Sequence, residues 1–163
     1  MLLLEDLTIP ADHSRWLEGV DVVVRRGERY GLVVCDHVVR SAIVALLAGR
    51  AVPQRGRVRV DGLDPVADAD LLQGRVHVVS DDAPGPLPGL RADVLVLAPS
   101  SGAPRHLDEV LAPPADDSPR APVTVLLVTD TPSLAARYCD RLDHLVCTCV
   151  AEARPTHTPP TPT

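Results

Sequence analysis

The sequence predicts an α/β domain in three layers, with a mainly parallel sheet and a small N-terminal β portion. Strand-like and helix-like segments alternate from residue 30 onward, which is typical of parallel strands joined by crossover helices. Valine-rich apolar runs such as residues 123–129 are typical of strands buried on both faces. The 163 residues suffice for one domain with its own core and are too few for two.

The N-terminal portion is predicted as two short strands, residues 2–7 and 20–25, separated by a turn-rich segment at residues 10–14. A tight turn at residues 26–28 leads into a buried strand. The remaining predicted elements, in chain order, are strand 30–35, helix 40–47, strand 57–61, helix 66–73, strands 75–80, 93–97 and 123–129, helix 132–140 and strand 142–150. The domain is predicted at residues 1–152. The Pro/Thr-rich tail at 153–163 is predicted to be disordered, because it lacks apolar side chains that would offset the entropy of ordering.

Composition excludes several classes of function. The net charge is −6 and all sixteen basic residues are arginine, so no basic face for nucleic acid is expected. No stretch approaches the roughly 20 apolar residues of a membrane span, and the N-terminus does not read as a signal peptide. We therefore expect a cytoplasmic chain with reduced thiols, which reaches a membrane only through a partner.

Residues 31–49 read as a strand, a short turn and a helix that ends in Leu46-Leu47-Ala48-Gly49. This segment is preceded by residues 17–30 and followed in order by residues 53–62, 94–102 and 123–145. The order resembles the nucleotide-binding domain of an ABC transporter over roughly residues 2–150. The resemblance implies a P-loop-NTPase-like fold, a bacterial source, and ATP with magnesium as the family's ligands.

The family's phosphate loop reads G-x-x-x-x-G-K-[ST], and its glycines let backbone N–H groups approach the phosphates. Laid on this sequence, the two glycines fall at Val34 and Val39, and the lysine falls at Arg40. Valine disfavours positive φ, and arginine is a bulky fork where the family has a compact charge. Ser41 matches the magnesium-binding hydroxyl. Arg40 and Ser41 are therefore the candidate nucleotide-binding residues of a degenerate loop, and an ordinary strand–turn–helix is the alternative.

The positions that the resemblance assigns to hydrolysis carry other residues. Leu97 and Ala98 stand where the family has a metal-binding Asp and a catalytic Glu, and neither can bind magnesium or accept a proton. Ser80 replaces a glutamine, and Asp130 replaces the switch histidine. We therefore predict no catalytic residue in this chain.

Two further family features are displaced or missing from the sequence. The aromatic residue that stacks on adenine falls near Pro10 and Ala11, and Trp16, several residues later, is predicted to be a packed side chain. The family also places a helical subdomain with an L-S-G-G-Q signature before the strand at 93–97. Residues 81–92 occupy that place and contain no such motif. Because the subdomain contacts the membrane subunit and the opposite ATP, neither role is expected here in its usual form.

The sequence contains other groups of residues that are chemically reactive in some proteins. A soft-metal site would use Cys139, His144, Cys147 and Cys149, but a single Cys-x-Cys pair on a strand rarely forms a tetrahedral site, so buried core cysteines are predicted. Cys35 lies in the former phosphate loop, where a reactive thiol is the alternative to an inert one. Asp36 and His37 are predicted to be solvated polar residues of a turn.

The sequence leads to one main hypothesis and two alternatives. The main hypothesis is a non-hydrolysing accessory or regulatory protein without a cofactor, which binds an ABC ATPase, a membrane permease subunit or a second copy of itself. The first alternative is a divergent ATP-binding subunit that keeps residual ATP and magnesium binding. The second is a free-standing interaction module.

Overall fold

The computed structural model describes residues 1–12, 15–80, 93–99, 107 and 123–145, which form two β-sheets and the helices that pack on them. The elements, in chain order, are β1 (Leu2–Asp12), β2 (Arg15–Val24), β3 (Arg29–Val34), α1 (His37–Leu47), β4 (Arg55–Val60), α2 (Ala69–Leu72), β5 (Val76–Ser80), β6 (Val94–Ala98), β7 (Thr124–Thr129), α3 (Pro132–Tyr138) and β8 (Arg141–Leu145). The tail predicted to be disordered at 153–163 lies outside the described residues.

The smaller sheet is antiparallel, with strand order β2-β1-β4, and forms the predicted N-terminal β portion. The turn-rich segment predicted at residues 10–14 is wrong for residues 10–12, because the hairpin continues through Pro10 opposite Trp16 to Asp12 opposite Arg15. Residues 13 and 14 lie outside the described residues. Proline lacks the N–H needed in a central strand. It is tolerated here because β4 pairs with β1 only as far as Thr8, so Pro10 has a partner strand on one side.

The larger sheet has five strands in the order β5-β6-β7-β3-β8, and every neighbouring pair is parallel. This confirms the predicted α/β class with a mainly parallel sheet. Successive side chains of a strand point to opposite faces. Leu32 and Val34 therefore pack with α1 and the smaller sheet, whereas Val33 packs on the other face with Leu134 and Ala135 of α3.

The helices α1, α2 and α3 all differ from their predicted bounds, each because of an identifiable hydrogen bond. α1 begins three residues early, because the Asp36 side chain caps it at His37. α2 is shorter than predicted, because the Asp64 carboxylate accepts the N–H groups of Val66 and Ala67 and holds them in a turn. α3 ends at Tyr138, because the Asp140 N–H donates to Arg29 O at the start of the next strand pairing. No helix in the described part of the chain is long and apolar enough to cross a membrane.

Gly31 sets how closely α3 approaches the parallel sheet. A Cβ atom at this position would lie 2.8 Å from Ala135 Cβ and 3.3 Å from Cys139 Sγ. Any side chain would therefore push α3 away from β3. The close approach places α3 directly against β3, and Asp130 lies in the connection that enters this helix from β7.

Candidate functional site

The candidate site lies where β3 ends and α1 begins, at the carboxyl edge of the parallel sheet. Only Cys35 and Asp36 connect the two elements. The Asp36 carboxylate accepts hydrogen bonds from the N–H groups of Val38 at 2.8 Å and Val39 at 3.3 Å. An aspartate at this position is among the strongest helix caps. As a result, part of the segment that would wrap around phosphates in the family pattern is helical here.

The two valines at the predicted glycine positions are core residues. Val34 and Val39 are both fully buried and pack in the cluster that joins α1 to both sheets. Among the described non-glycine residues, positive φ angles occur only at Asp6 and Asp61. The connection from β3 to α1 therefore forms without the left-handed backbone that glycine would allow.

Arg40 points away from solvent and towards the end of β7. Its Nη1 atom lies 2.6 Å from Asp130 Oδ2 and donates weakly to Val34 O at 3.4 Å. The guanidinium side chain is 13 % exposed and the Asp130 side chain is 30 % exposed. The other carboxylate oxygen of Asp130 accepts from the Thr131 hydroxyl at 2.9 Å. The hydrogen bond from Arg40 holds the pKa of the Asp130 carboxyl below its usual range.

The structure thus brings Arg40 together with Asp130 rather than with Ser41. Ser41 follows Arg40 in the first turn of α1, but its side chain is exposed. The ion pair is not predicted from the sequence, and Asp36 caps a helix where a solvated turn was expected. One signal was available for the cap, since an aspartate before an amphipathic segment is a frequent helix start. No sequence pattern indicated the ion pair.

The positions assigned to hydrolysis lie in or beside the apolar core. Leu97 is 3 % exposed and packs with Val33, Leu127 and Leu134 beneath α3. Ala98 ends β6 and pairs in register with Ser80, the residue at the predicted glutamine position. These residues offer no carboxylate to a metal ion or a water molecule. The side chain of Trp16, predicted to be packed, lies outside the described residues.

The described thiols have different environments. Cys35 is exposed in the β3–α1 connection, and Cys139 is half-buried after α3. Burial, together with the negative charge of Asp140, raises the pKa of the Cys139 thiol to about 11. Cys147 and Cys149 lie outside the described residues. Within the described residues, no three His, Cys, Asp or Glu side chains come together as metal ligands.

A cleft of about 390 Å³ lies at the opposite end of α1, between α2 and β5. Its apolar wall is formed by Leu47, Leu72, Val76 and Val78, with Asp70 and Gln73 at the polar side. None of the candidate residues lines this cleft. It is therefore separate from the β3–α1 connection.

The fold is that of known ATP-binding subunits. The ATP-binding subunit of an ABC transporter superposes with a TM-score of 0.66 at 14% identity, covering 92% of this chain and 90% of that one. CbiO1 of Clostridium perfringens, part of the ABC transporter complex CbiONQ, superposes with a TM-score of 0.65 at 15% identity, covering 88% and 84%. The chain has the fold of ABC-type nucleotide-binding domains. This confirms the fold that the resemblance implies.

The sequence comparisons agree with this domain type. The Nod factor export ATP-binding protein I of Azorhizobium caulinodans is 38% identical over 66 residues, which are 40% of this chain and 21% of that protein. The match therefore spans about a fifth of the length of this relative. A third solved structure is a dimeric ABC cassette in a post-hydrolysis state bound to ADP and Pi, with a TM-score of 0.62 at 12% identity, covering 89% and 94%. No protein-family profile matches the sequence.

Proposed function

We propose that this ABC-type domain is a non-hydrolysing accessory or regulatory subunit, which works beside the ATPase or permease subunits of an ABC transporter. The carrying observation is the burial of Leu97 in the core beneath α3, where the family pattern has its metal-binding carboxylate. Restoring a carboxylate there would bury a charge among apolar side chains. The side chain at position 97 therefore serves the packing of the core.

The magnitudes support a loss of hydrolysis. Removing one preorganised electrostatic contact typically lowers a rate by about 10²–10³. Here the two acidic positions, the lysine position and the switch-histidine position all carry other residues: Leu97, Ala98, Arg40 and Asp130. Such effects are not additive, but several of them together would bring turnover towards the uncatalysed rate.

The residues around the loop do not fit a magnesium–nucleotide complex. Two of the N–H groups that would approach a phosphate, those of Val38 and Val39, are capped by Asp36, and the cation of the loop is paired with Asp130. We therefore propose that the protein acts by binding protein partners. Relatives named as an export ATP-binding protein and as part of the CbiONQ complex support an ABC transporter as the setting. The proposed location is the cytoplasm, at the inner face of the membrane through a partner.

Magnesium–ATP binding and phosphate release test this proposal directly. Isothermal titration of the full chain is expected to give no saturable heat up to about 1 mM Mg–ATP, and phosphate release is expected to equal the buffer blank. Arg40→Ala is expected to behave like the parent. Arg50→Ala is the matched control, because Arg50 is exposed at the other end of α1.

A divergent subunit that still binds nucleotide is the second candidate. It is favoured by the exposed Ser41 hydroxyl, which follows Arg40 in the first turn of α1. This candidate predicts micromolar Mg–ATP binding that is lost in Arg40→Ala and kept in Arg50→Ala. That result would exclude the non-binding proposal, and measurable turnover would exclude the non-hydrolysing one.

A further inference from the structure

We infer that the carboxylates of Asp36 and Asp130 occupy the groups of the β3–α1 connection that would otherwise bind phosphate, and so prevent phosphate from binding there. The inference rests on the proposed function, since it names the contacts that keep nucleotide out. Each carboxylate satisfies one electropositive group of the β3–α1 connection. Both contacts form within one chain, and each inhibits phosphate binding by occupying a group that a phosphate would need.

The first contact occupies the N-terminus of α1. Free N–H groups and the helix dipole make such a terminus favourable for an anion. Here Asp36 Oδ1 lies 2.8 Å from Val38 N and 3.3 Å from Val39 N. The Arg40 N–H is also used, since it donates to Asp36 O at 3.0 Å in the first helical turn. An incoming phosphate would have to displace the carboxylate to reach the N–H groups of Val38 and Val39.

The second contact occupies the cation. Arg40 reaches Asp130 across the carboxyl edge of the sheet, because β3 and β7 are adjacent parallel strands and end side by side. The 2.6 Å distance is that of a charge-assisted hydrogen bond. Thr131 holds the other carboxylate oxygen at 2.9 Å, so the acceptor is fixed in position. A phosphate would have to compete with a carboxylate that is already placed.

The two contacts together also set the balance of charge among the three side chains that take part in them. Asp36 and Asp130 contribute two carboxylates against the single guanidinium of Arg40. A polyphosphate approaching these three side chains therefore meets one more carboxylate than cation. In this arrangement the loop is satisfied by its own chain, and removal of both carboxylates would leave a helix terminus and a cation facing the same space.

The experiment uses the full chain and inorganic pyrophosphate without metal as the probe, monitored by ³¹P NMR and isothermal titration. Asp36→Gly removes the carboxylate while keeping a tolerated cap residue, and Asp130→Asn keeps the shape of the side chain. The double variant is expected to bind pyrophosphate at least about tenfold more tightly than the parent. Adding Arg40→Ala to the double variant is expected to abolish the gain. Asp70→Asn, at an exposed position in α2, is charge-matched to Asp130→Asn alone and is expected to change nothing.

Two results would overturn the inference: a folded double variant that binds no more tightly than the parent, or a gain that survives Arg40→Ala. In either case the proposed function would stand, provided that the parent still fails to bind Mg–ATP. Far-ultraviolet circular dichroism establishes folding of each variant. Asp130→Asn alone keeps the helix cap, and a gain of about threefold in this variant would support the inference even where the double variant is unfolded.

Discussion

Arg40 shows how one residue changes role when its neighbours change. In the family pattern this position holds a cation for phosphate, whereas here the cation is largely buried against Asp130. A pair at this depth lies between the surface limit of about 0–1 kcal/mol and the buried limit of about 3–5 kcal/mol for loss of one partner. The ion pair therefore contributes to folding at a position that the family uses for binding.

Asp130→Asn is expected to lower the free energy of unfolding by about 1–3 kcal/mol at pH 7, because it leaves the Arg40 guanidinium without its counter-charge. The pKa of Asp130 is lower in the folded state than in the unfolded state, so its contribution is present above about pH 4 and is lost as the pH falls through the folded value. Urea denaturation between pH 7 and pH 3 measures both effects.

The difference in stability between parent and Asp130→Asn should stay constant down to about pH 5 and shrink below about pH 4. Asp70→Asn is the control, and its stability should follow the parent at every pH. A constant difference down to pH 3 would show that the carboxylate charge does not stabilise the fold.

At the scale of elements, local sequence signals predicted the elements, and long-range contacts set many of their ends. The strand at 123–129 and the helix near 40–47 were recognisable from apolar runs and periodicity. Pro10 was misread because whether β4 extends alongside it cannot be known from neighbouring residues. The end of α3 was misread for the same reason, since the hydrogen bond from Asp140 N to Arg29 O joins positions far apart in the chain.

The candidate site shows the same division between local and distant information. The sequence pattern predicted the strand and the helix that flank the β3–α1 connection, and both valines break a local motif. The pairing of Arg40 with Asp130 depends on two strands becoming neighbours, which the local sequence does not specify. The helix start at His37 depended on one side chain, Asp36, whose capping role was overlooked.

The pairing of β1 with β4 depends on a close backbone approach at Gly56. Its φ is +86°, and a Cβ atom there would lie 2.3 Å from both Glu5 O and Asp6 O. Gly62 has the same φ of +86°, but nothing lies within 4 Å of its virtual Cβ. Substituting each glycine in turn therefore distinguishes the energetic cost of the backbone conformation from the cost of steric crowding.

Gly62→Ala is expected to lower the free energy of unfolding by about 1–2 kcal/mol through the left-handed conformation alone. Gly56→Ala is expected to cost at least about 2 kcal/mol more, because β4 must move away from β1 to admit the methyl group. Equilibrium denaturation in urea compares both with the parent. Equal losses in the two variants would contradict the close approach.

At the scale of the whole molecule, the two sheets are connected by side chains around Tyr30 as well as by the core. Arg141 on β8 donates to Val23 O on β2 at 2.5 Å, and its guanidinium carbon lies 4.6 Å from the centre of the Tyr30 ring. The Tyr30 hydroxyl donates to the Asp143 carboxylate. These contacts link the edge strand of the parallel sheet to the antiparallel sheet.

Tyr30 therefore makes the stability of the two-sheet assembly sensitive to alkaline pH. Burial, followed by the hydrogen bond to Asp143, raises the pKa of the Tyr30 hydroxyl well above its ordinary value of about 10. A group whose pKa is raised by folding stabilises the folded state fully below its unfolded pKa. That stabilisation is lost as the pH rises towards the folded pKa.

Tyr30→Phe is expected to lower the free energy of unfolding by about 1 kcal/mol at pH 8, because it removes one hydrogen bond to a charged acceptor. Above about pH 10 the parent must keep a buried phenol protonated while its unfolded chain ionises, so the parent loses stability faster than the variant. The difference should therefore narrow between pH 10 and pH 11.5 in urea denaturation. If the difference between parent and Tyr30→Phe were the same at pH 8 and pH 11, Tyr30 would not link the stability of the assembly to pH.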